Sequence, residues 1–336
     1  MCFLVILVLV KILSVSVFVI ILFLFSAIKP SIINAENTRN YGFSAGTAFG
    51  VVFGESFELV YPGNDTKGEL LSELTWEMKP VFYFGLYGQF ARRNLTSAPG
   101  FFASFLFKVG LPGDSGVHEN RDWMSAVNAE LTHFSTHTNR TDRFFWLDVD
   151  LGFSIPIRQS FFVKPFLNFS WMHFAFSGRD GHGQYAIESS PGIFYPIDDM
   201  PRIVQFNGLA ITYQQDWLIL AAGLTAGTTI LSPFTLELSF KMSPLTYCIA
   251  VDHHFHRAVT FYDFTSFGLF IEPSIRASMP FGNFDILFEL TYRFIGRTRG
   301  PAFREYATNI GVFVPSGEAG AALSLMNSRF IIRYRI

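Results

Sequence analysis

The sequence predicts an all-β protein, a ten-stranded antiparallel transmembrane β-barrel of the outer-membrane type, and three observations carry that prediction. Apolar and polar residues alternate with period two over long stretches, which marks strands with one apolar and one polar face. Those stretches run about 10 to 20 residues, against a usual length of about 5–6 in soluble proteins. Half of the 336 residues are apolar and only 15% are charged, against roughly 25% charged in an average soluble domain. The same numbers exclude other classes. A chain with 41 Phe residues is not disordered, because disordered chains are poor in aromatics and rich in charge. Nucleic-acid binding is not expected, since Lys plus Arg (25) falls short of Asp plus Glu (27).

The first 35 residues read as a signal peptide. From Phe3 to Ile28 the chain is apolar, broken mainly by Lys11 and a few serines, and then Lys29-Pro30 and Asn34-Ala35 follow. A basic residue, an apolar stretch and a small residue at a cut point are what secretion requires. The competing reading is an anchoring helix, because Ile12–Ile28 is just long enough to span a bilayer. Removing residues 1–35 takes away two lysines and no acid, so the net charge moves from −2 to −4. Cys2 leaves with the peptide, and Cys248 alone cannot form an internal disulfide.

Residues 36–336 read as one barrel. No later apolar run is long enough for a membrane helix. From Phe145 to Ile155 the apolar set Phe145, Leu147, Val149, Leu151, Phe153 and Ile155 alternates with Asp148, Asp150, Gly152 and Ser154. From Phe284 to Phe294 a second apolar set alternates with Asp285, Glu289, Thr291 and Arg293, and Phe267, Leu269, Ile271 and Ile275 alternate with Ser266, Glu272, Ser274 and Arg276. Acids and arginines on one face suit a water-filled or ion-paired lumen, and aromatics on the other suit lipid. The chain ends on Phe330, Ile332, Tyr334 and Ile336 alternating with arginines, a closing strand of the kind that leaves no sheet edge in lipid. The predicted strands are 41–61, 70–88, 101–110, 142–156, 161–177, 207–228, 234–251, 258–279, 284–297 and 319–336. Short turns are expected near 157–160, 229–233 and 280–283. Longer polar loops are expected at 62–69, 111–141, 178–206, 252–257 and 298–318, those at 111–141, 178–206 and 252–257 sharing the exterior rim.

Three segments at the loop edges carry reactive side chains: Asn120-Arg121-Asp122-Trp123-Met124, Ser135-Thr136-His137 and Asp252-His253-His254. In extended chain, Asp252 and His254 face one side. Even positions are apolar from Phe234 to Met242; after Pro244 the apolar positions become Leu245, Tyr247, Ile249 and Val251. Beyond a bulge at Pro244 the even face is therefore the inward one, and the pair points into the barrel mouth.

These segments resemble the omptin family of outer-membrane aspartate/histidine endopeptidases, over most of residues 41–336. The family's Asp-x-Asp-Trp-Met is matched by Asn120 to Met124, its Asp-x-His by Asp252 to His254 and its Ser-x-His by Ser135 to His137. An Arg-x-Gly segment is present as Arg179-Asp180-Gly181, and Gly-Tyr-Lys-Gln is echoed by Thr212-Tyr213-Gln214-Gln215. The resemblance implies a ten-stranded barrel in the outer membrane with its active site facing the exterior, a polypeptide substrate, and neither cofactor nor metal. It implies that Asp252 orients His254, and that His254 deprotonates a water held between it and Asp122. That water attacks the scissile carbonyl without a covalent intermediate. The chemistry is sound in itself: a neutral imidazole is a suitable base near pH 7, and a positioned base contributes about 10²–10⁴-fold.

Departures from the family pattern define the alternatives. Asn120 stands where the family has the first Asp of its pair, and an amide holds a water but shares no proton; Glu119 is the neighbouring acid that could substitute. Of the two acids that select a basic residue beside the cut, Glu58 is kept on the inward parity of the first strand, and the other aligns with His133. The lipopolysaccharide-binding Tyr, Glu and Arg fall on Asn168, Ser170 and Met172, so dependence on that lipid is not implied. Ser135 and His137 share one strand face with no acid to complete a triad, and read as substrate-binding or water-positioning residues. His253, His254 and His256 lack the partners of a tetrahedral metal site. The competing functional class is a non-enzymatic barrel, whether adhesin, degenerate scaffold or porin.

Overall fold

The computed structural model describes residues 41–62, 70–92, 98–125, 130–199 and 201–336. The expected signal peptide lies outside them. In chain order the strands are β1 (Tyr41–Tyr61), β2 (Ser72–Arg92), β3 (Gly100–Gly110), β4 (Gly113–Asp122), β5 (His133–Arg158) and β6 (Phe161–Tyr185). Three short ones follow: β7 (Glu188–Ser190), β8 (Ile193–Phe194) and β9 (Arg202–Gln205). Then come β10 (Leu209–Thr228), β11 (Thr235–Ser243), β12 (Thr246–His254), β13 (Val259–Ser266) and β14 (Phe270–Phe281). The last are β15 (Phe284–Ile295), β16 (Gly300–Tyr306) and β17 (Val314–Arg335).

All the long pairings are antiparallel, and they close into a ring. β17 pairs with β1 on one side and with β15 and β16 on the other. Four pairs of segments continue each other along the same neighbours: β3 and β4 along β2 and β5, β11 and β12 along β10, β13 and β14, and β15 and β16 along β17. With each such pair counted once and the short β7, β8 and β9 left aside, the described residues form ten staves. The interruptions have local causes. Proline lacks the N–H that a ladder needs, and Pro112 and Pro244 stand at two of the breaks. At a third, Phe267 adopts a left-handed φ of 65°.

The breaks divide the wall into two zones. On the lower zone Phe49, Phe53, Phe84, Phe153, Leu167, Leu224, Phe288 and Phe330 are exposed on the outer face, as a lipid-facing band requires. The expected short turns lie at its end, at 159–160, 229–233 and 282–283. The upper zone corrects the predicted loops. Residues 111–141 are largely strand, as β4 and the first part of β5, and β6 runs on to Tyr185, where β9 pairs with it. Likewise 298–318 contains β16 and the start of β17. These extensions stand beyond the lipid band, so nothing requires their outward side chains to be apolar, and their polarity resembles that of loops.

Inside the lower zone every lumen acid meets a cation. Asp148 lies 3.1 Å from Arg293 and 3.7 Å from Lys108, and Glu272 is paired with both Arg293 and Lys241. Glu237 meets Lys164 and Arg276, Glu289 meets Arg276 and Arg329, and Asp285 meets Arg333 at 3.0 Å. Above these charges lies an aromatic layer. Trp76 stacks on Tyr213 and Phe176 with ring centroids 5.5 and 5.6 Å apart. Gln215 binds this layer together: its amide N–H donates to the Tyr213 hydroxyl at 2.7 Å, and its oxygen accepts from Trp217 at 2.9 Å and from Ser56 at 2.5 Å. That layer is the floor of the site above it.

Candidate active site

β12 carries the aspartate–histidine pair. Thr246, Cys248, Ala250 and Asp252 are buried while Tyr247, Ile249 and Val251 are not, so the even face points inward beyond Pro244. The interruption there ends one strand and begins another, in place of the expected bulge. Asp252 is 1% exposed, and its Oδ2 abuts Nε2 of His254. The contact is close, and neither carboxylate oxygen accepts a hydrogen bond. The carboxylate thus has the imidazole as its one counter-charge partner among the described residues.

β4 supplies the opposite side. Asn120 and Asp122 alternate inward with His118 and line the same cavity as His254. The Ser72 hydroxyl lies 2.5 Å from Asp122 Oδ1 and 3.0 Å from Asn120 Oδ1, and the Asn120 amide reaches Asp122 Oδ2 at 3.5 Å. Glu119 belongs to the other face of β4, paired with Arg121, and does not line the cavity. It therefore does not replace the missing acid. Burial holds Asp122 above the usual carboxylate range, partly offset by the Ser72 hydrogen bond.

The cavity has a volume of about 570 Å³ and two unlike walls. One wall is acidic: Glu58 from β1, Asp252 from β12 and Asp263 from β13 all line it and are all buried. Glu58 has an oxygen with no hydrogen-bond partner. Burial pushes Glu58 well up, helped by the charges of Asp252 and Asp263, and burial with the Asp252 charge pushes Asp263 up to about 8. The other wall is made of imidazoles and aromatics. His118 stacks on Trp76 at 3.8 Å and faces His137 at 5.5 Å, and His133 packs against Tyr185 at 5.1 Å. Burial keeps all three histidines below the ordinary imidazole range.

The Arg179-Asp180-Gly181 segment has a local reason. Asp180 is left-handed (φ 52°) and Gly181 has φ 103°, where a Cβ would come 1.9 Å from the Thr136 carbonyl oxygen. Only glycine fits there. This kink brings the Asp180 carbonyl 2.5 Å from His137 Nδ1. A carbonyl only accepts, so Nδ1 carries the proton and Nε2 keeps its lone pair. Ser135 is buried on the same face of β5 and hydrogen-bonds to Tyr185.

The other segments separate into lumen and wall. Tyr213 and Gln215 point inward and belong to the aromatic floor. Asn168, Ser170 and Met172 are fully buried; Arg293 lies 2.8 Å from Ser170 and 3.1 Å from Met172. These three positions face the lumen, out of reach of lipid. The outward residues of that stretch are Trp171 and His173, which meet Asp216 at 3.2 and 3.0 Å. No group of three metal-ligating side chains occurs among the described residues. Ser72, Tyr185, Arg257 and Asp263 were not singled out from the sequence. Asp263 had a signal, being the sole acid in phase with Val259 and Phe261 along β13.

Comparisons with known proteins bear on the family and the fold. The profile of the Omptin family matches residues 39–332. The crystal structure of the outer membrane protease OmpT from Escherichia coli superposes with a TM-score of 0.74 at 19% identity, covering 88% of this chain and 97% of that one. The transport unit of the autotransporter AIDA-I from Escherichia coli (TM-score 0.34, 10% identity, 90% and 93% covered) and the toluene transporter TodX from P. putida (0.29, 10%, 88% and 90%) are too distant in shape to add to this. No curated protein matches the chain in sequence. The family match spans nearly the whole barrel, and the chain belongs to the omptin family, as a β-barrel of the bacterial outer membrane.

Proposed function

We propose that this protein is an outer-membrane endopeptidase that hydrolyses polypeptides with a water activated by His254. One observation carries the reading: a buried carboxylate–imidazole pair, Asp252 and His254, shares a cavity with Asp122 and Asn120 on the facing strand. Asp252, whose carboxylate abuts the ring, orients the imidazole. Asp122 and Asn120, tied together by Ser72, hold the water from the other side. His254 takes a proton from that water as its oxygen adds to the scissile carbonyl, and later gives it to the leaving amine. Glu58, with Asp263 behind it, favours a cationic side chain next to the cut. His133, Ser135 and His137 line the substrate's other flank.

Asn120 is the observation that favours a second reading, a barrel of the same family that binds without cleaving. Digestion of an unstructured peptide library by the wild type and by Asn120→Asp separates the two. Cleavage by both establishes the endopeptidase. Cleavage by the Asp variant alone makes the natural protein a scaffold, and silence from both ends the enzymatic reading.

A further inference from the structure

We propose that Arg257 is a catalytic residue of this site: it stabilises the oxyanion formed when water adds to the scissile carbonyl, and it rests on the base between turnovers. The inference depends on the endopeptidase reading above. Arg257 ends the single 3-10 turn Phe255–Arg257 that joins β12 to β13, and Ala258 closes that turn in a left-handed conformation (φ 50°, ψ 43°). Its Nη2 lies 2.6 Å from Nδ1 of His254 and 3.2 Å from Nε2. Nε2 is the nitrogen beside Asp252, so the guanidinium rests on the nitrogen left free to act as base. Arg257 also lines the cavity, and among the described residues no carboxylate comes within ion-pair distance of it. Its charge nevertheless reaches Glu58, Asp122 and Tyr185, lowering the proton affinity of each.

The chemistry needs such a group. As water adds, its proton passes to His254, and the carbonyl π pair moves onto oxygen. That negative charge arises in a cavity that Asp122 and Asp252 also line, and like charge opposes it unless a donor is aimed at the oxygen. The cavity-lining cations are Arg257 and Arg304, and the Arg304 guanidinium lies over the Tyr306 ring, 5.5 Å from its centroid. Arg257 is always charged, with donors in a planar fork. The exchange is set by the base itself. Nδ1 has one lone pair, so the guanidinium gives it up when substrate and water bind and turns onto the carbonyl oxygen. Once Nδ1 has taken the water's proton, the imidazolium is a cationic donor and keeps the guanidinium on the oxyanion. When the oxyanion re-forms the carbonyl, the C–N bond breaks, the imidazolium proton goes to the amine, and Arg257 returns.

The test uses the refolded full barrel, with Arg257→Ala and Arg257→Lys compared with wild type on one peptide substrate. Removing an oxyanion donor lowers kcat by about 10²–10³-fold, so Arg257→Ala should lose that factor with little change in KM, and the Lys variant should lose less. Guanidinium ion added well below denaturing concentrations should restore part of the Arg257→Ala rate and none of the rate of His254→Ala. Heat-modifiable gel migration checks that each variant is folded. An Ala variant as fast as wild type, or a loss confined to KM without rescue, overturns the proposal. A wild type that cleaves nothing sinks the endopeptidase reading first and this inference with it, whereas wild-type cleavage with a fully active Ala variant sinks this inference alone.

Discussion

The mouth and the lower lumen of this barrel are both lined with buried charges, and they treat them in opposite ways. Below the aromatic floor, Asp148, Asp150, Glu237, Glu272, Asp285 and Glu289 each meet a lysine or arginine. Above it, Glu58, Asp122 and Asp263 have no ion-pair partner among the described residues, and Asp252 has only His254. A buried charge is costly unless paired, so the lower lumen satisfies a structural requirement and the mouth leaves it open. Unpaired acids lining a cavity are available to a ligand or a proton.

Breaking the mouth should show in activity first. Asp252→Asn and Asp122→Asn should each lower peptide cleavage by about 10²–10⁴-fold, the range of a general base. They act as one unit with His254, so the double variant should be little worse than either; initial rates on a single peptide check both statements. In the lower lumen the loss should appear in stability. Arg293→Met leaves Asp148 and Glu272 short of a partner, and breaking a buried pair costs about 3–5 kcal/mol. The temperature of the heat-modifiable gel shift should fall, while the folded variant still cleaves when assayed cold.

A third change reverses the sign. Asp263 is raised to about 8 by burial and by Asp252, against about 3.9 in an unfolded chain. Between those values the folded barrel binds the extra proton, so this group's contribution to stability falls as pH rises through the window. Asp263→Asn should therefore raise the unfolding temperature relative to wild type, by a margin that grows from pH 4 to 8 and disappears below pH 4. Smallest of all is Glu119→Gln. Glu119 meets Arg121 away from the cavity, and an exposed pair is worth about 0–1 kcal/mol, so cleavage should be unchanged. A loss of rate there would restore Glu119 to the site.

The same comparison explains what the sequence revealed. In the lower zone lipid fixes one face and the ion-paired lumen the other, so Phe145–Ile155 and Phe284–Phe294 alternate cleanly and their strands are legible. In the upper zone both faces of β4 are polar, and Gly113–Asp122 reads as loop although it is a strand. The Asp252–His254 parity could be followed because Pro244 marks where the phase changes. The corresponding change between β13 and β14 rests on Phe267 in a left-handed conformation and on Gly268, where a Cβ would come 2.4 Å from the Gly296 carbonyl oxygen, and no proline announces it. Asp263 lies just before that shift and was missed for this reason.

Proposed chemistry at His254, held in place by the rest of the barrel, is tested most directly by digesting an unstructured peptide with refolded wild type and with His254→Ala, following both by mass spectrometry and confirming folding by heat-modifiable migration. Discrete fragments from the wild type and an intact peptide with the variant are the predicted result. Fragments from His254→Ala at the wild-type rate, or none from a folded wild type, would contradict it.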